Sequence, residues 1–308
     1  MDRQAEGRPS RRGPARLLRG RPLRYWLHRE LTKLGVQCHV VAPVALNGRR
    51  KTDKRDARAL CDQLDRFVRG NTQAFSKVYV PSEQQEDDRA LLRHRRKLVG
   101  EITRCSAAGR SAFLRLGHRV RGSWWQLARW NELAEKLPAH TRFALSQLRD
   151  QLALLRTQLR EAEKQVAALA ELRKVQAPRG VGALTWITLL LEVVDWTRFQ
   201  NRRQVASYTG LCPGEHTSGD NKRELSIDKH GNPRVRHLLI EAAWRLLRWQ
   251  PQYPPLQKLL SANGGRGRKR MIVAIARRLA IDVWRLATGR TTPEKVGLTA
   301  TATRLMPA

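Results

Sequence analysis

The sequence is short of acidic residues. Its 308 residues include 27 Asp and Glu against 60 Lys and Arg, which leaves a formal net charge of +33. A compact domain with that excess repels itself unless an anion neutralises it. Nucleic acid is the usual partner, because each Lys or Arg placed on a phosphate releases counterions. A genome rich in G and C would explain why Arg outnumbers Lys, but not why acids are missing. The composition therefore favours contact with nucleic acid.

Cysteine and long apolar runs are also scarce. The four cysteines, Cys38, Cys61, Cys105 and Cys212, are scattered singly. Without a Cys-x-x-Cys pair, neither a zinc site nor a disulfide framework is predicted. No apolar run approaches the roughly 20 residues of a membrane-spanning helix, and the basic N-terminus lacks the apolar core of a secretory signal. These absences predict a cytoplasmic protein with no membrane partner.

The spacing of apolar residues predicts an α+β protein that is mostly helical. Residues 1–22 lack apolar periodicity and are expected to form a disordered basic tail. Residues 23–81 alternate helical and strand patterns, which is typical of a partial α/β domain. Residues 82–174 contain few helix breakers and predict a helical hairpin or coiled-coil segment. Residues 175–290 predict a helical C-terminal domain, and 291–308 a second tail.

Individual elements can be assigned within the first of these domains. The pattern predicts a helix over 25–34 that Gly35 ends, and a strand over 36–41. It then predicts a helix over 53–67 and a second strand over 78–80. Only two strands are therefore expected in this sheet.

The C-terminal half has its own local patterns. Apolar spacing predicts helices over 202–209, 233–249 and 269–287. Between the first two helices, 212–232 is rich in Gly, Pro, Thr and Ser and predicts a long polar loop. A loop of that length inside a domain is more often functional than idle.

A stripe of leucines marks the long helical segment. Leu148, Leu152, Leu155 and Leu159 recur at helical spacing, with charged residues on the other faces. Such a stripe is typical of packing within a helical hairpin or against a partner helix. We expect a hairpin, and homo-oligomerisation through it is the sharper alternative.

Asp53 and Asp56 are the first candidates for chemistry. Acids at i and i+3 lie on one face of a helix about one turn apart, where they could bind Mg²⁺. Alternatively, Asp53 caps the helix and Asp56 faces the positive end of its dipole. Two carboxylates are also fewer than a phosphoryl-transfer metal site normally gathers.

Ser218 is the second candidate. It lies in the string Glu215-His-Thr-Ser218-Gly-Asp-Asn-Lys222-Arg223. Its hydroxyl could attack a phosphodiester while Lys222 and Arg223 hold the phosphate oxygens, with His216 near enough in sequence to act as a base. On composition alone the segment is a turn, because Ser-Gly-Asp-Asn is strong turn chemistry.

Clusters of basic residues and one glycine-rich turn complete the candidates. Clustering in several places predicts a surface that follows a phosphate backbone, although a solvated basic face is the plainer interpretation. The turn from Pro178 to Gly182 could hold a phosphate on its backbone N–H groups, as in a helix-hairpin-helix module, or be an ordinary helix start. The residues expected to bind nucleic acid are Arg179, Gly180, Gly182, Lys222, Arg223, Lys229, Arg234, Arg236, Arg266, Arg268, Lys269 and Arg270.

Four motifs in this order resemble those of insertion sequence family 110 transposases. Lys51-Thr-Asp53-x-x-Asp56-Ala57 is similar to part of the N-terminal signature, and Pro178-x-Gly-Val-Gly182 to a Pro-Gly-Ile-Gly turn. Two longer strings are similar to the C-terminal signature: Arg198-Phe-x6-Ala206-Ser-Tyr-x-Gly210-Leu-x-Pro213-x4-Ser218-Gly219 and Ile227-x-Lys229-x-Gly231-Asn232-x-x-Val235-Arg236-x-x-Leu239.

The resemblance implies a fold and an activity. Members join an RNase H-like domain, which uses Asp-Glu-Asp-Asp with Mg²⁺, to a C-terminal domain with a nucleophilic serine. They cut and rejoin the DNA of their own element and are guided by a structured RNA. Here Asp53 and Asp56 match the third and fourth acids, and Ser218 matches the serine. The resemblance thus implies Mg²⁺ as cofactor, and DNA and a guide RNA as partners.

The first two acids of that pattern have no match. Asp2 and Glu6 lie in a segment without strand character, and Glu30 lies one helix too late. We therefore expect an altered or truncated N-terminal domain with weaker Mg²⁺ binding. Two hypotheses follow: a transposase that cuts DNA through Ser218, or a catalytically impaired protein that only binds nucleic acid.

Overall fold

The structure is a computed structural model, and its chain divides into two compact units, residues 1–83 and 84–308. It is mostly helical with a few short strands, as an α+β protein should be. No helix in the described ranges is long and apolar enough to cross a membrane. The ranges that the structure describes are 15–19, 23–41, 52–173, 177–218, 221–263 and 267–299.

The first unit contains a two-stranded parallel sheet. Strand β1 pairs with β2 so that Ala15 is opposite Gln37 and Arg19 opposite Val41. Parallel neighbours need a crossover connection, and helix α1 provides it. Helix α1 ends before Gly35, whose φ of +74° lies in the left-handed region that favours glycine. The elements are β1 (Ala15–Arg19), α1 (Leu23–Lys33), β2 (Gln37–Val41) and α2 (Asp53–Val68).

Two expectations for this unit are wrong. Residues 15–19, assigned to a disordered tail, form β1; the strand is only five residues long and begins and ends beside arginines, so it has no readable alternation. Residues 78–80, assigned to a strand, form no strand. Instead Lys77 makes one isolated antiparallel bridge with Val41, and the amide of Val78 donates to the carbonyl of Val40 at 2.8 Å.

Three helices form the first part of the second unit: α3 (Glu83–Arg115), α4 (Leu127–Ala134) and α5 (Ala139–Leu172). Helices α3 and α5 pack around a cluster that includes the fully buried Phe113, Trp124 and Leu152. Leu148 and Leu155 pack against the same cluster. Three of the four leucines of the stripe therefore pack within the chain, and they give no support to oligomerisation through this segment.

The remaining elements surround a second, larger core. Helices α6, α8 and α10 contribute most of its buried residues, including Leu189, Leu239 and Ile275. The three helices expected over 202–209, 233–249 and 269–287 are confirmed as α7, α8 and α10. The elements are α6 (Ala183–Val193), α7 (Arg202–Thr209), β3 (Pro213–Ser218), β4 (Asn221–Ile227), α8 (Pro233–Trp249), α9 (Pro254–Asn263), α10 (Arg268–Ala287) and α11 (Pro293–Val296).

Candidate nucleic-acid interface

The segment predicted as a polar loop is an antiparallel hairpin of β3 and β4. That prediction is wrong because strands form by pairing with each other, and these two lack the apolar alternation that announces a strand. Ser218 ends β3 and lies opposite Asn221. Gly219 and Asp220 lie outside the described residues. In the backbone register, Thr217 lies opposite Lys222 and His216 opposite Arg223.

The base of the hairpin is closed by two glycines. Gly210 ends α7 with a φ of +63°, and Gly231 precedes the cap of α8. A Cβ atom on Gly231 would lie 2.3 Å from the amide nitrogen of Gly210. The amide of Asn232 donates to the carbonyl of Tyr208 at 2.7 Å. These contacts fix the base of the hairpin against α7 and α8.

A basic groove of about 810 Å³ lies beside this base. Arg202 and Arg203 reach it from the start of α7, and α10 supplies four more cations along one helical face. None of the residues that line the groove is acidic. Its lining residues are Arg202, Arg203, Leu211, Pro213, Ser226, Ile227, Lys269, Arg270, Val273, Ala274, Arg277, Arg278 and Ile281.

Most of these cations have no acidic partner among the described residues. Arg278 contacts Asp282 on its own helix at 3.3 Å. For the other five cations, no ion pair occurs among the residues that the structure describes. Basic residues without internal partners repel one another, and an external anion relieves that repulsion. The groove therefore has the electrostatics of a phosphate-binding surface.

Arg234 and Arg236, expected on the interface, have internal partners. Arg236 donates from Nη1 to the carbonyls of Thr209, at 3.1 Å, and Lys229, at 3.2 Å. Arg234 is 11% exposed and pairs with the buried Glu192 at 3.0 Å. Both arginines therefore stabilise the start of α8 through internal contacts.

Glu192 is the centre of a buried polar network. Its carboxylate also contacts Arg89 at 3.4 Å and Arg93 at 3.7 Å. The side chain of Asn232 donates to it at 3.4 Å. Burial lowers the pKa of Arg234, and Arg93 and Arg96 lower it further against the opposing effect of Glu192. One carboxylate therefore joins α3 and α8 through several cations.

The glycine-rich turn is built into the fold. Gly180 has a φ of +86°, and a Cβ atom there would lie 2.4 Å from Cβ of Trp249. The amide of Arg179 donates to the carbonyl of Thr299 at 2.8 Å, and the amide of Val181 donates to the carbonyl of Pro178 at 2.9 Å. Two of the amides expected to hold phosphate are thus used internally. Gly182 caps α6, and Arg179 is exposed.

The other expected binding residues divide between the groove and elsewhere. Lys269 and Arg270 line the groove. Arg268 is exposed beside them, with its guanidinium 5.5 Å from the ring of Trp244. Lys229 is exposed. Arg266 lies outside the described residues.

Asp53 and Asp56 share the start of α2 but differ in exposure. Thr52 caps this helix, and its hydroxyl accepts from the amide of Arg55 at 3.4 Å, so the assignment of Asp53 as the cap is wrong. Asp53 is exposed, whereas Asp56 is 7% exposed. Across the described ranges, no three His, Cys, Asp or Glu side chains come together as a metal site. The described residues therefore do not make a complete Mg²⁺ site.

Several basic residues that line the groove or a second depression were not predicted from the sequence. Arg202 and Arg203 directly follow the capping residue Asn201, and this pair of arginines could have indicated a basic surface. Arg93, Arg96 and Lys97 have i, i+3 and i+4 spacing on α3, which places them on one face. They line a depression of about 440 Å³ together with Arg234.

Comparison with known proteins identifies the family. A model of the transposase IS116/IS110/IS902 family matches residues 172–256. The proposed transposase y4rJ of Sinorhizobium fredii is 31% identical over 92% of this chain and 80% of its own length. The chain belongs to the IS116/IS110/IS902 transposase family.

Other relatives agree with this membership. The transposase for insertion sequence element IS1111A of Coxiella burnetii is 28% identical over 87% of this chain and 76% of its own length. The pilin gene-inverting protein of Moraxella bovis is 33% identical, but over only 32% of this chain and 31% of its own length. The family match from 172 to 256 includes the hairpin, the paired glycines and Arg202 and Arg203 of the groove. This transposase therefore carries its basic groove partly within the segment that defines its family.

Proposed function

We propose that this transposase binds the phosphate backbone of its DNA in the groove between α7, α10 and the base of the β3–β4 hairpin. The observation that carries the proposal is the set of six cations, five of them without an ion pair among the described residues. Arg offers a planar fork that matches phosphate oxygens. Nucleic acid supplies phosphates at regular spacing, as a groove lined along a helix requires.

We further propose that Ser218 is the nucleophile for DNA cleavage. The Ser218 hydroxyl oxygen would bond to a backbone phosphorus while the bond from phosphorus to one neighbouring nucleotide breaks. The hydroxyl proton would pass to a base, for which His216 is a candidate, and the leaving oxygen would take up a proton. Ser218 lies five residues from Pro213, which lines the groove, or about 17 Å along an extended strand. DNA bound in the groove would therefore run beside the hairpin that carries Ser218.

Asp53 and Asp56 are the residues that we propose as Mg²⁺ ligands. Asp53 and Asp56 would contribute two oxygen ligands to Mg²⁺, which supplies charge stabilisation in phosphoryl transfer. The described residues do not complete a metal site on their own. The parallel pairing of β1 and β2 across α1 supports an RNase H-like first unit, which is proposed with it.

Guidance by a structured RNA is proposed from the family resemblance alone, and homo-oligomerisation through the helical hairpin stays a prediction. The name of the Moraxella relative describes inversion of a gene, and inversion requires DNA to be cut and rejoined. This supports recombination as the reaction class. The alternative function is a catalytically impaired protein that binds nucleic acid in the same groove but does not cut it, because two of the expected acids are missing.

Binding is tested by removing two exposed groove cations in the full chain, Arg203→Gln with Arg270→Gln. The control is Arg119→Gln with Arg121→Gln, which removes the same amount of charge. Both of these arginines are exposed and have no ion pair among the described residues. Anisotropy of labelled duplex DNA should show that the groove variant binds more weakly. The slope of log K against log salt concentration should become less steep by about 1 to 2. An unchanged slope would remove the groove from the interface.

Cleavage is tested with DNA carrying the element ends, guide RNA and Mg²⁺. We expect a covalent protein–DNA species that denaturing electrophoresis resolves and that Ser218→Ala abolishes, while Thr217→Ala retains it. If Ser218→Ala leaves the species intact, the nucleophile assignment is wrong. If no species forms with either protein while DNA still binds, the non-cleaving alternative is correct.

A further inference from the structure

A second basic site is formed by residues that do not line the groove. Arg93, Arg96 and Lys97 on α3 face Arg234 near the start of α8 across a depression of about 440 Å³. All four lining residues are cations, and none of them lines the groove. The two sites are thus formed by different residues.

The charges at this site are poorly balanced. Arg93 and Arg234 both pair with Glu192, and Arg89 shares the same carboxylate. In the described part of the chain, neither Arg96 nor Lys97 has an ion pair. One buried carboxylate therefore opposes five cations, which leaves excess positive charge around the depression.

Arg234 is held in place before any ligand arrives. Arg234 is only 11% exposed, and it donates to Glu192 and, at 3.5 Å, to the carbonyl of Leu92. Its helix start is fixed by Asn232, whose side chain accepts from the amides of Arg234, at 3.0 Å, and Val235, at 3.2 Å. Arg96 lies close enough to oppose the charge of Arg234. Repulsion between like charges at close range destabilises the free protein, and a bound anion relieves that repulsion.

We propose that this depression is a second phosphate-binding site, for the backbone of a nucleic-acid strand that the groove does not hold. Guanidinium groups match the oxygens of a phosphate in pairs, and the ammonium of Lys97 adds a point charge. Two separate phosphate sites would let the protein hold two strands, or two stretches of one strand. The proposal rests on nucleic-acid binding as the function, and DNA and RNA are the two sources of its phosphate.

The test uses Arg96→Gln with Lys97→Gln in the full chain. Both residues are exposed, so their replacement should leave folding intact, which circular dichroism checks. Anisotropy is measured over a salt series with labelled duplex DNA and with a labelled structured RNA. We expect the slope of log K against log salt concentration to become less steep by about 1 to 2 with one or both nucleic acids. Arg119→Gln with Arg121→Gln, the same control as before, should change it less.

The outcomes separate this inference from the proposed function. A change with RNA alone, DNA alone or both supports the site and identifies its source of phosphate. If neither nucleic acid responds to Arg96→Gln with Lys97→Gln while the groove variant weakens binding, the second site is wrong and the groove stands. If neither variant changes binding, both proposals fail.

Discussion

Gly210 and Gly231 pack backbone against backbone, although 20 residues separate them in sequence. A Cβ atom on Gly231 would lie 2.3 Å from both the amide nitrogen of Gly210 and the carbonyl oxygen of Tyr208. The neighbouring bonds, from the amide of Asn232 to Tyr208 and from that of Lys229 to Gly210 at 3.2 Å, leave the backbone little room to move. The two glycines therefore serve the fold at the base of the hairpin, beside the groove.

Gly231→Ala should destabilise the second unit. Its methyl group would meet backbone atoms rather than a flexible side chain, and overpacking of this kind costs about 1–3 kcal/mol. Urea unfolding of the full chain measures the change in the free energy of unfolding. The matched control is Gly100→Ala in the middle of α3, where a Cβ meets nothing within 4 Å. That control should stabilise the helix by about 0.5–1 kcal/mol. Equal unfolding of Gly231→Ala and the parent protein would contradict the close packing.

Glu192→Gln should destabilise the second unit more strongly. The change leaves the part-buried Arg234 and Arg89 without their carboxylate, and breaking a buried ion pair on one side costs about 3–5 kcal/mol. Chemical denaturation measures the loss. Glu161→Gln is the control, because Glu161 is exposed and lies 3.9 Å from Lys164. That change should cost less than about 0.5 kcal/mol. A loss at Glu192 as small as at Glu161 would mean that the network does not hold α3 and α8 together.

Stability of the first unit should fall as pH falls below about 6.5. Burial lowers the pKa of His39, and the charges of Lys77 and His28 lower it further. The unfolded chain therefore takes up a proton near pH 6.5, where the folded chain still resists it, so acid favours unfolding. Proton NMR of the imidazole rings should show His39 titrating below its ordinary pKa.

The matched variants for this pH effect are His39→Leu and His140→Gln. His39 packs against Phe67, with ring centroids 5.2 Å apart, so leucine keeps an apolar contact there. The drop in melting temperature between about pH 7.5 and 5.5 should shrink in His39→Leu. His140 is exposed on α5, and its replacement should leave the drop unchanged. An unchanged drop in His39→Leu would show that His39 does not cause it.

Mg²⁺ alone should bind the free protein weakly. Asp53 and Asp56 offer two carboxylates of different exposure, and Mg²⁺ gives up its water shell reluctantly for so few ligands. Adding Mg²⁺ at constant ionic strength should therefore leave the melting temperature of the first unit nearly unchanged. A saturable rise that Asp53→Asn and Asp56→Asn each remove would show a stronger site than these residues predict.

Local sequence was sufficient wherever an element carries its own signals. Asn232 and Pro233 mark the start of α8, because the Asn side chain accepts from two free amides and proline suits the first helical position. Gly35 marks the end of α1 for a similar local reason. The leucine stripe of α5 likewise predicted a packed helical face. The four ordered motifs pointed to the family that the comparisons then identified.

Only the tertiary structure decided what depends on distant partners. β1 and the β3–β4 hairpin exist through pairing, which a short arginine-flanked or polar segment does not announce. Arg234 was expected to face an external anion, and folding pairs it with Glu192, 42 residues away, which leaves its side chain only 11% exposed. The groove forms because α7 packs on α10 and brings Arg202 and Arg203 to the cations of a helix more than 60 residues later. The sequence by itself therefore determined the charge, most helices and the family, whereas long-range packing decided which arginines pair with Glu192 and which have no ion pair among the described residues.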